Sequence, residues 1–509
     1  MGRRVHLSKS KLMAGWQCPK RLWLEVNASE EAHYVPDSEF AFAVGHQVGE
    51  AAQSIFPEGI LIEHDQELSE AIRETQALLA VPGCVTLFEA TCQAQGVLIR
   101  ADILTRDTRD NHHLIEVKAA TSVKDYYLLD CAIQLWVLEK VGLPLQKLDL
   151  AHVNNQFVYP GNGEYRGLFT VVGVLEQCRE MLGEVDELVD EMREVLQGDE
   201  PRISTGPHCT DPFDCPLYDY CAGPQPEMPV YWLPGGGTAA NKLMAAGYFD
   251  IRDIPAGFLT NELAEKCRQV SVSVQYFLDP AAAEELGTLG WPRYYLDFET
   301  MAPAVPRFMG TRPYSAQAFQ WSCHIEHEEG SLEHSEFLAD GREAPMRPCA
   351  ESLIGALGKS GPVFMYSSYE RRIIRGFISM FPDLAEPLDR IVDRLYDLLP
   401  FTRKYYYHPD MHGSWSIKAV LPTVAPDLDY DELDIVSSGA MAEPAFLEMI
   451  DEDTKPVRRE DLRKALLKYC ELDTLAMVRL ARFLEHGSEA GANPGSILIQ
   501  FNTNGPSVR

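Results

Sequence analysis

Gly96-Val-Leu-Ile-Arg-Ala-Asp102 and, beyond a polar turn from Thr105 to His112, Leu114-Ile-Glu116-Val-Lys118 decide the reading of the first half of the chain. Both are short aliphatic runs of the kind that form strands. Asp102 stands near the end of the first strand. On the second, residues i and i+2 share a face, so Glu116 and Lys118 project together. Val117 then turns its side chain to the core, which leaves its backbone carbonyl free as a ligand. Gln134 follows on the next predicted helix. Carboxylates offer Mg²⁺ or Mn²⁺ the hard oxygen ligands they take. A bound ion polarises a phosphate and acidifies a water, and a lysine steadies the charge that develops. Taken singly, the same residues would also make a surface salt bridge.

Working outward, helical patterns at 39–54, 66–80, 125–141 and 174–197 alternate with strand-like runs at 85–91, 96–104, 113–118 and 150–158. That alternation predicts an α/β fold. Pro224, Pro226, Pro229, Pro234 and Gly235-Gly236-Gly237 punctuate the chain and mark a boundary. The expected organisation is a first domain over 1–222 and a linker with a small helical module over 223–290. A third domain then spans 291–487, from the strand at Tyr294–Phe298 to a helix near 459–485, and a disordered tail covers 488–509.

The composition is that of a globular chain. The 509 residues are 46% hydrophobic and 24% charged, which excludes collagen-like, coiled-coil and disordered classes. No apolar run is long enough for a membrane helix, and no apolar signal core follows Met1-Gly-Arg-Arg before Cys18. A cytoplasmic protein is the expectation. The net charge of −31 is unlike a protein that coats nucleic acid, although net charge does not describe a site. Residues 1–24 carry Arg3, Arg4, Lys9, Lys11, Lys20 and Arg21 and no acid, a local edge that could hold phosphates.

The order Asp102, Glu116-x-Lys118, Gln134 resembles the RecB-type PD-(D/E)XK nucleases. Gly45-His-Gln-Val-Gly49-Glu50 stands where that family carries a Gly-x-x-x-His helix. Gly49 occupies the histidine position, which leaves Glu50, His46 or neither to supply a further ligand. Glu89 on the preceding strand is another acidic neighbour.

His208-Cys209-Thr-Asp-Pro-Phe-Asp-Cys215-Pro-Leu-Tyr-Asp-Tyr-Cys221 clusters three of the twelve cysteines. With Cys18, far upstream, they could hold zinc or a [4Fe–4S] cluster. Cys84, Cys92, Cys131, Cys178, Cys267, Cys323, Cys349 and Cys470 read as core residues. One N-terminal cysteine plus three after the core resembles the iron–sulfur subset of RecB-type nucleases, including AddB-type and CRISPR-adaptation nucleases. That resemblance implies a [4Fe–4S] cluster on Cys18, Cys209, Cys215 and Cys221, with zinc as the alternative.

Tyr295-Leu-Asp297-Phe-Glu299-Thr300 puts two acids on one strand face, and Tyr469 and Asp473 share a helix face four residues apart. Val363-Phe-Met-Tyr-Ser-Ser-Tyr-Glu370 reads as a strand entering a helix. The ordered set resembles the DnaQ-like, RNase H-fold 3′–5′ exonucleases of DEDDy type, and Gly413-Ser-Trp-Ser-Ile-Lys418 resembles their Ser-Leu-Lys element. Here Glu370 replaces the usual Asp, with Asp393 and Asp397 as further acids. Tyr405-Tyr406-Tyr407 could stack on bases, but packing in the core is the reading preferred.

Together these features resemble a bacterial family that fuses an iron–sulfur RecB-type nuclease to a DnaQ-like domain through a helix-hairpin-helix-like connector. The implied activity is metal-dependent DNA cleavage at two sites, in repair, recombination or defence against foreign DNA. Mg²⁺ or Mn²⁺ would be held by Asp102, Glu116, Val117, Asp297, Glu299 and Asp473. The implied partners are DNA as single strands or duplex ends, RNA as a second substrate, and a helicase or nuclease subunit. No Walker A loop is present. The competing expectation is a nucleic-acid-binding scaffold with one or both sites degenerate.

Overall fold

The computed structural model describes residues 7–31, 36–63, 67–341, 343–428, 430, 433 and 435–487. The tail expected over 488–509, and Arg3 and Arg4, lie outside the described residues. The chain divides into two mixed α/β units: unit 1 is Met1–Pro224 with Ala302–Ser315, and unit 2 is Gln225–Met301 with Ala316–Arg509.

Unit 1 carries strands β1 (Leu7–Ser8), β2 (Ile60–Leu61), β3 (Val85–Ala94), β4 (Val97–Arg106), β5 (His112–Lys118), β6 (Leu145–Val153) and β7 (Phe169–Gly173). Its helices are α1 (Lys9–Gln17), α2 (Pro19–Asn27), α3 (Pro36–Gln53), α4 (Leu68–Ala80), α5 (Asp125–Lys140), α6 (Leu175–Glu180), α7 (Leu182–Gln197) and α8 (Tyr218–Ala222). The sheet runs β2-β3-β4-β5-β6-β7, with β1 also on β4. Gln95 (φ 47°) and Gly96 (φ 81°) join β3 to β4; positive φ at both central residues is the hairpin turn that matches strand twist.

Two details position the first site. The β4–β5 ladder ends at Ile103 opposite Ile115, while β5 stays paired with β6 through Lys118. Asp102 and Glu116 therefore sit where two strands separate. Inward alternation also breaks at that level. Leu87 is followed in the core by Ala90 and Cys92, and Ala101 by Leu104. Glu89, which with Asp102 falls between the pairs Phe88–Ile103 and Ala90–Ala101, adopts φ 55°. That left-handed residue in a strand flips the period-two pattern.

Helix α5 is buried along its middle, from Leu129 to Leu138. Asp130 and Gln134 are polar exceptions, spaced to share one face. Strand β6 begins at Leu145, earlier than the expected 150–158. Lys147 and Asp149 interrupt its apolar run, while Asn154 and Asn155 close it.

Unit 2 begins with α9 (Gly236–Ala245), α10 (Glu262–Ser273), β8 (Phe277–Leu278) and α11 (Ala281–Gly287). Next come β9 (Arg293–Met301), β10 (Gln317–Glu326), β11 (Leu332–Leu338), α12 (Met346–Ala356), β12 (Val363–Met365), α13 (Tyr369–Met380) and α14 (Ala385–Val392). The unit closes with β13 (Leu395–Asp397), α15 (Leu398–Tyr405), β14 (Tyr406–Tyr407), α16 (Ile417–Val424), α17 (Gly439–Ile450) and α18 (Pro456–His486). Its main sheet has the order β11-β10-β9-β12-β13. β9, β10 and β11 are antiparallel, and β12 and β13 run parallel to β9.

Alternation on β9 sorts the two faces. Tyr294, Leu296 and Phe298 join Cys349, Phe377 and Leu388 of α12–α14 in one core. Tyr295 joins Met477, Val478 and Leu480 of α18 in another. Arg293 locks α18 down through two bonds to Glu485 at 2.5 and 3.1 Å, and Arg482 reaches Glu326 at 2.6 Å. The register shifts between Ala318 and Gln320 beside Glu299, a bulge that re-aims side chains at a strand end. Residues 225–290 contribute Val230, Leu243, Ile251 and Cys267 to the same cluster as Tyr405, Tyr406 and Tyr407. Those tyrosines are core.

Candidate functional site

In unit 1 the structure brings Asp102, Glu116, Lys118 and Gln134 together. Glu116 Oε1 accepts from Lys118 Nζ at 2.7 Å, and Oε2 accepts from Gln134 Nε2 at 2.6 Å. Asp102 Oδ2 accepts from the Val117 N–H at 2.7 Å. The Val117 N–H thus faces Asp102, and on a strand the carbonyl of the same residue turns to the same edge, the group the sequence points to. Two further residues complete the cluster: Asp130, which the sequence does not single out, and Lys9, read there only as part of a basic edge. Lys9 Nζ lies 2.8 Å from Glu116 and 2.9 Å from Asp130, and Lys118 also donates to Asp130.

The charges are set by this crowding. Burial and, next, the Glu116 charge push the Asp102 carboxyl up to about 8. Burial acts the same way on Glu116, but Lys118 and Lys9 prevail and hold it well below the carboxylate range. Lys9 and Lys118 pull Asp102 down too little to offset its burial, and both bond Glu116 rather than Asp102. His46 and Glu50 on α3 are both well exposed and lie 3.3 Å apart, paired with each other at the surface.

The four cysteines Cys18, Cys209, Cys215 and Cys221 line one pocket. Cys18 sits at the junction of α1 and α2, capping both. Gln17, beside it, donates to the carbonyls of His208 (2.7 Å) and Phe213 (2.6 Å), which braces the loop carrying Cys209 and Cys215. Burial raises the Cys215 and Cys221 thiols, and the neighbouring Cys18 and Cys209 add to it. Of the other eight, Cys84 is exposed rather than core, and Cys470 stands in the second site.

In unit 2, Asp297 and Glu299 from β9 meet Tyr469 and Asp473 from α18 around a cavity of about 190 Å³ that Lys418 and Tyr366 also line. Glu370, at the start of α13, is buried, and hydrogen-bonds Asp297; its Oε2 has no partner among the described residues. Asp297, Glu299 and Cys470 place ligand atoms within 4.8 Å of one another, with Cys470 Sγ 3.8 Å from Asp297. Tyr430 donates to Asp473 Oδ1 at 2.5 Å, and Tyr469 also bonds it.

Burial pushes every acid of this group upward. Asp297 rises well above the usual range, with Asp473, Glu299 and Glu370 adding to the effect. Glu299 does likewise, opposed by Lys418. Glu370 reaches about 7 and Asp473 about 6, the latter eased by Tyr430, Lys418 and Tyr469. Burial and Asp473 also raise the Tyr469 phenol, so it keeps its proton.

Local structure explains the placement. Gly413 has φ 76°, and a side-chain carbon there would fall 1.7 Å from the Trp232 carbonyl oxygen. Only glycine fits that approach. Three residues on, Ser416 caps α16, and the helix presents Lys418 over the rings of Tyr430 and Tyr469 at 5.0 and 5.1 Å. Asp397 caps α15 and accepts from the Ser367 N–H at 3.2 Å, beside Glu370. Asp393 ends α14, where the structure gives it no bond to the other acids.

A family model described as a domain of unknown function (DUF2779) matches residues 294–416. Asp297, Glu299 and Glu370 fall inside that span; Tyr469 and Asp473 fall outside it. No curated protein matches the sequence. The crystal structure of SSO0001 is similar to 40% of this chain and covers 81% of its own, at 14% identity and a TM-score of 0.20, too slight a likeness to build on.

Proposed function

We propose that the chain is a metal-dependent nuclease with two active sites. Unit 1 would cleave phosphodiesters in the RecB manner, and unit 2 would trim 3′ ends in the DEDDy manner, on DNA in repair, recombination or defence. The observation that carries this reading is the crowding of Asp297, Glu299, Glu370 and Asp473 from three elements into one buried site. Acids so close cannot all ionise without a cation, and among the described residues Lys418 is the one cation that lines their cavity. Asp297, Glu299 and Asp473 would hold divalent ions, with Glu370 behind Asp297. Such ions, when bound, polarise the phosphate and acidify a water. Tyr469, protonated, would orient that water by donating or accepting a hydrogen bond, and Lys418 would steady a phosphate oxygen. The strand order of unit 2 agrees with an RNase H-like fold, which is support by analogy.

In unit 1, Asp102 and Glu116 would hold the ion, and Asp102 is the group with a charge to gain. Gln134 fixes the Glu116 carboxylate, and Lys118 would place its ammonium against the developing charge. A second reading, a nucleic-acid binder with unit 1 degenerate, is favoured by one observation: Lys9 and Lys118 already neutralise Glu116, and His46 and Glu50 face solvent. Titration with Mn²⁺ separates the two. The nuclease reading expects wild type to bind, Asp102→Ala to lose the ion of unit 1, and Asp297→Ala to lose those of unit 2. Equal binding in all three proteins would sink it.

A [4Fe–4S] cluster would be held by Cys18, Cys209, Cys215 and Cys221, which line one pocket. The four come from distant segments, and among the described residues no three of their sulfurs lie within 4.8 Å of one another. Tetrahedral zinc with bonds near 2.3 Å would draw four sulfurs to about 3.8 Å from one another. A cluster would tie Cys18 to Cys209, Cys215 and Cys221 and fix the chain start beside the unit 1 site, where α1 carries Lys9.

A further inference from the structure

We propose that the cleft beside the end of β5 is a channel for a single nucleic-acid strand, in which Lys124 and Arg312 grip phosphates and Tyr314 stacks a base. The proposal rests on the phosphodiester reading of unit 1 and names how its substrate is held.

The cleft has a volume of about 590 Å³, begins at Ala119, and is lined further by Thr121, Ser122, Lys124, Asn155, Arg312 and Tyr314. Ala119 directly follows Lys118 in the chain, so the cleft opens next to the Glu116–Lys118 cluster. Its lining holds two cations and no carboxylate, in a chain of net charge −31. Neither Lys124 nor Arg312 has a carboxylate partner among the described residues. Lys124 instead lies over the rings of Tyr126 and Tyr127, at 5.6 and 6.0 Å. Lys118 lies 5.4 Å from the same Tyr127 ring, so the cation of the site and that of the cleft flank one aromatic face. A backbone-tracking groove that combines cations with rings holds single strands without reading sequence.

One wall comes from residues 302–315, and it is built in place. Gly310 donates to the Tyr159 carbonyl (2.8 Å) and Tyr159 to that of Thr311 (3.0 Å). Tyr165 reaches the Pro306 carbonyl at 3.2 Å, and Ala304 is buried among Val48, Val153 and Phe157. At its end Tyr314 adopts φ 58°, a left-handed conformation that a bulky residue keeps only when its surroundings hold it. Its hydroxyl donates to the Ala119 carbonyl, while 38% of the residue stays exposed. The ring is thus fixed beside the strand end on a residue that stays partly open to the cleft it lines.

The test is fluorescence anisotropy on the full chain in EDTA, with labelled oligo(dT) and oligo(rU) of about 15 nucleotides. Lys124→Ala/Arg312→Ala is expected to weaken binding about tenfold and to flatten the log–log salt dependence by about 1.4, two phosphate contacts' worth. Tyr314→Ala should weaken it at least about fivefold, the low end for one stacked base, and Tyr314→Phe, which keeps the ring but loses the hydroxyl's hold on Ala119, should fall between Tyr314→Ala and wild type. Lys124→Glu, at an exposed position, repeats the charge test should the double variant unfold. Arg166→Ala, a solvent-facing cation that is not among the residues lining the cleft, is the control. Binding of either oligonucleotide supports the channel, and their ratio names the preferred strand. Wild type that binds neither, or Lys124→Ala/Arg312→Ala and Tyr314→Ala both within twofold of wild type, overturns it. Strand binding lost in the variants but no cleavage by wild type with Mn²⁺ keeps the channel and fells the nuclease reading. Cleavage by wild type with unchanged variant affinities does the reverse.

Discussion

Glu370→Gln should make the metal-free protein more stable above neutral pH and leave it unchanged near pH 4.5. Burial, with the Asp397 charge next among the effects that raise it, moves the Glu370 carboxyl from 4.5 to about 7. A carboxyl raised on folding binds its proton more tightly in the folded state. Its stabilisation is therefore complete below the unfolded value and is lost as pH rises through the folded one. Over that window wild type should lose about 3 kcal/mol from this group, at about 1.36 kcal/mol per pKa step. Glutamine keeps the shape, carries no charge, and can donate to Asp297. In a unit of this size the difference is about 6–12 °C in Tm. His324, whose pKa is lowered to about 4 by burial first and then by His334, works in the opposite sense but is common to both proteins and cancels. The assay is thermal unfolding of both proteins in EDTA from pH 4.5 to 8.5. Curves that stay parallel throughout would refute the raised Glu370 carboxyl, and with it the buried place given to Glu370 behind Asp297. Mn²⁺ at about a hundredfold over its Kd should return about 2.7 kcal/mol to wild type.

Three further outcomes are expected. Protein purified without oxygen should be brown with broad visible absorption, and Cys215→Ser should bleach it; stoichiometric zinc in a colourless protein would contradict the cluster. Arg293→Ala should destabilise unit 2 by about 3–5 kcal/mol in denaturant unfolding, because it strands the largely buried Glu485, and should abolish 3′ trimming while sparing unit 1 cleavage. Gly413→Ala should cost at least about 1–3 kcal/mol through its left-handed φ and should depress unit 2 activity by displacing Lys418; a neutral effect on both would contradict the packing described.

How much of this was legible in the sequence differs by residue. Glu116 and Lys118 are i and i+2 on a strand, and Tyr469 and Asp473 are i and i+4 on a helix, so period alone puts each pair on one face. Glu370 lay at a strand–helix junction, which is where the structure holds it against Asp297. Lys9 and Asp130 were not legible: one comes from α1 and the other from α5, and only tertiary packing brings them to Glu116. Asp130 also lies within a run of core residues, where its charge looked incidental. Tyr430 lies in an irregular stretch with no period to read. Cys470 matched a buried helix position, and it is one; that position happens to face Asp297. The Glu89 kink has no sequence signal, since a left-handed glutamate within a strand runs against propensity. Residues 302–315 sit between two strands of unit 2 in chain order yet belong to unit 1, so linear domain bounds could not have placed them.

The most direct measurement is cleavage of end-labelled single- and double-stranded DNA with Mg²⁺ and Mn²⁺ by anaerobically purified wild type, Lys118→Ala, Asp297→Ala and the double variant. Two working sites predict that each single variant loses its own product pattern and that the double variant is inert. A double variant that cleaves as wild type does would contradict the assignment of either site as catalytic.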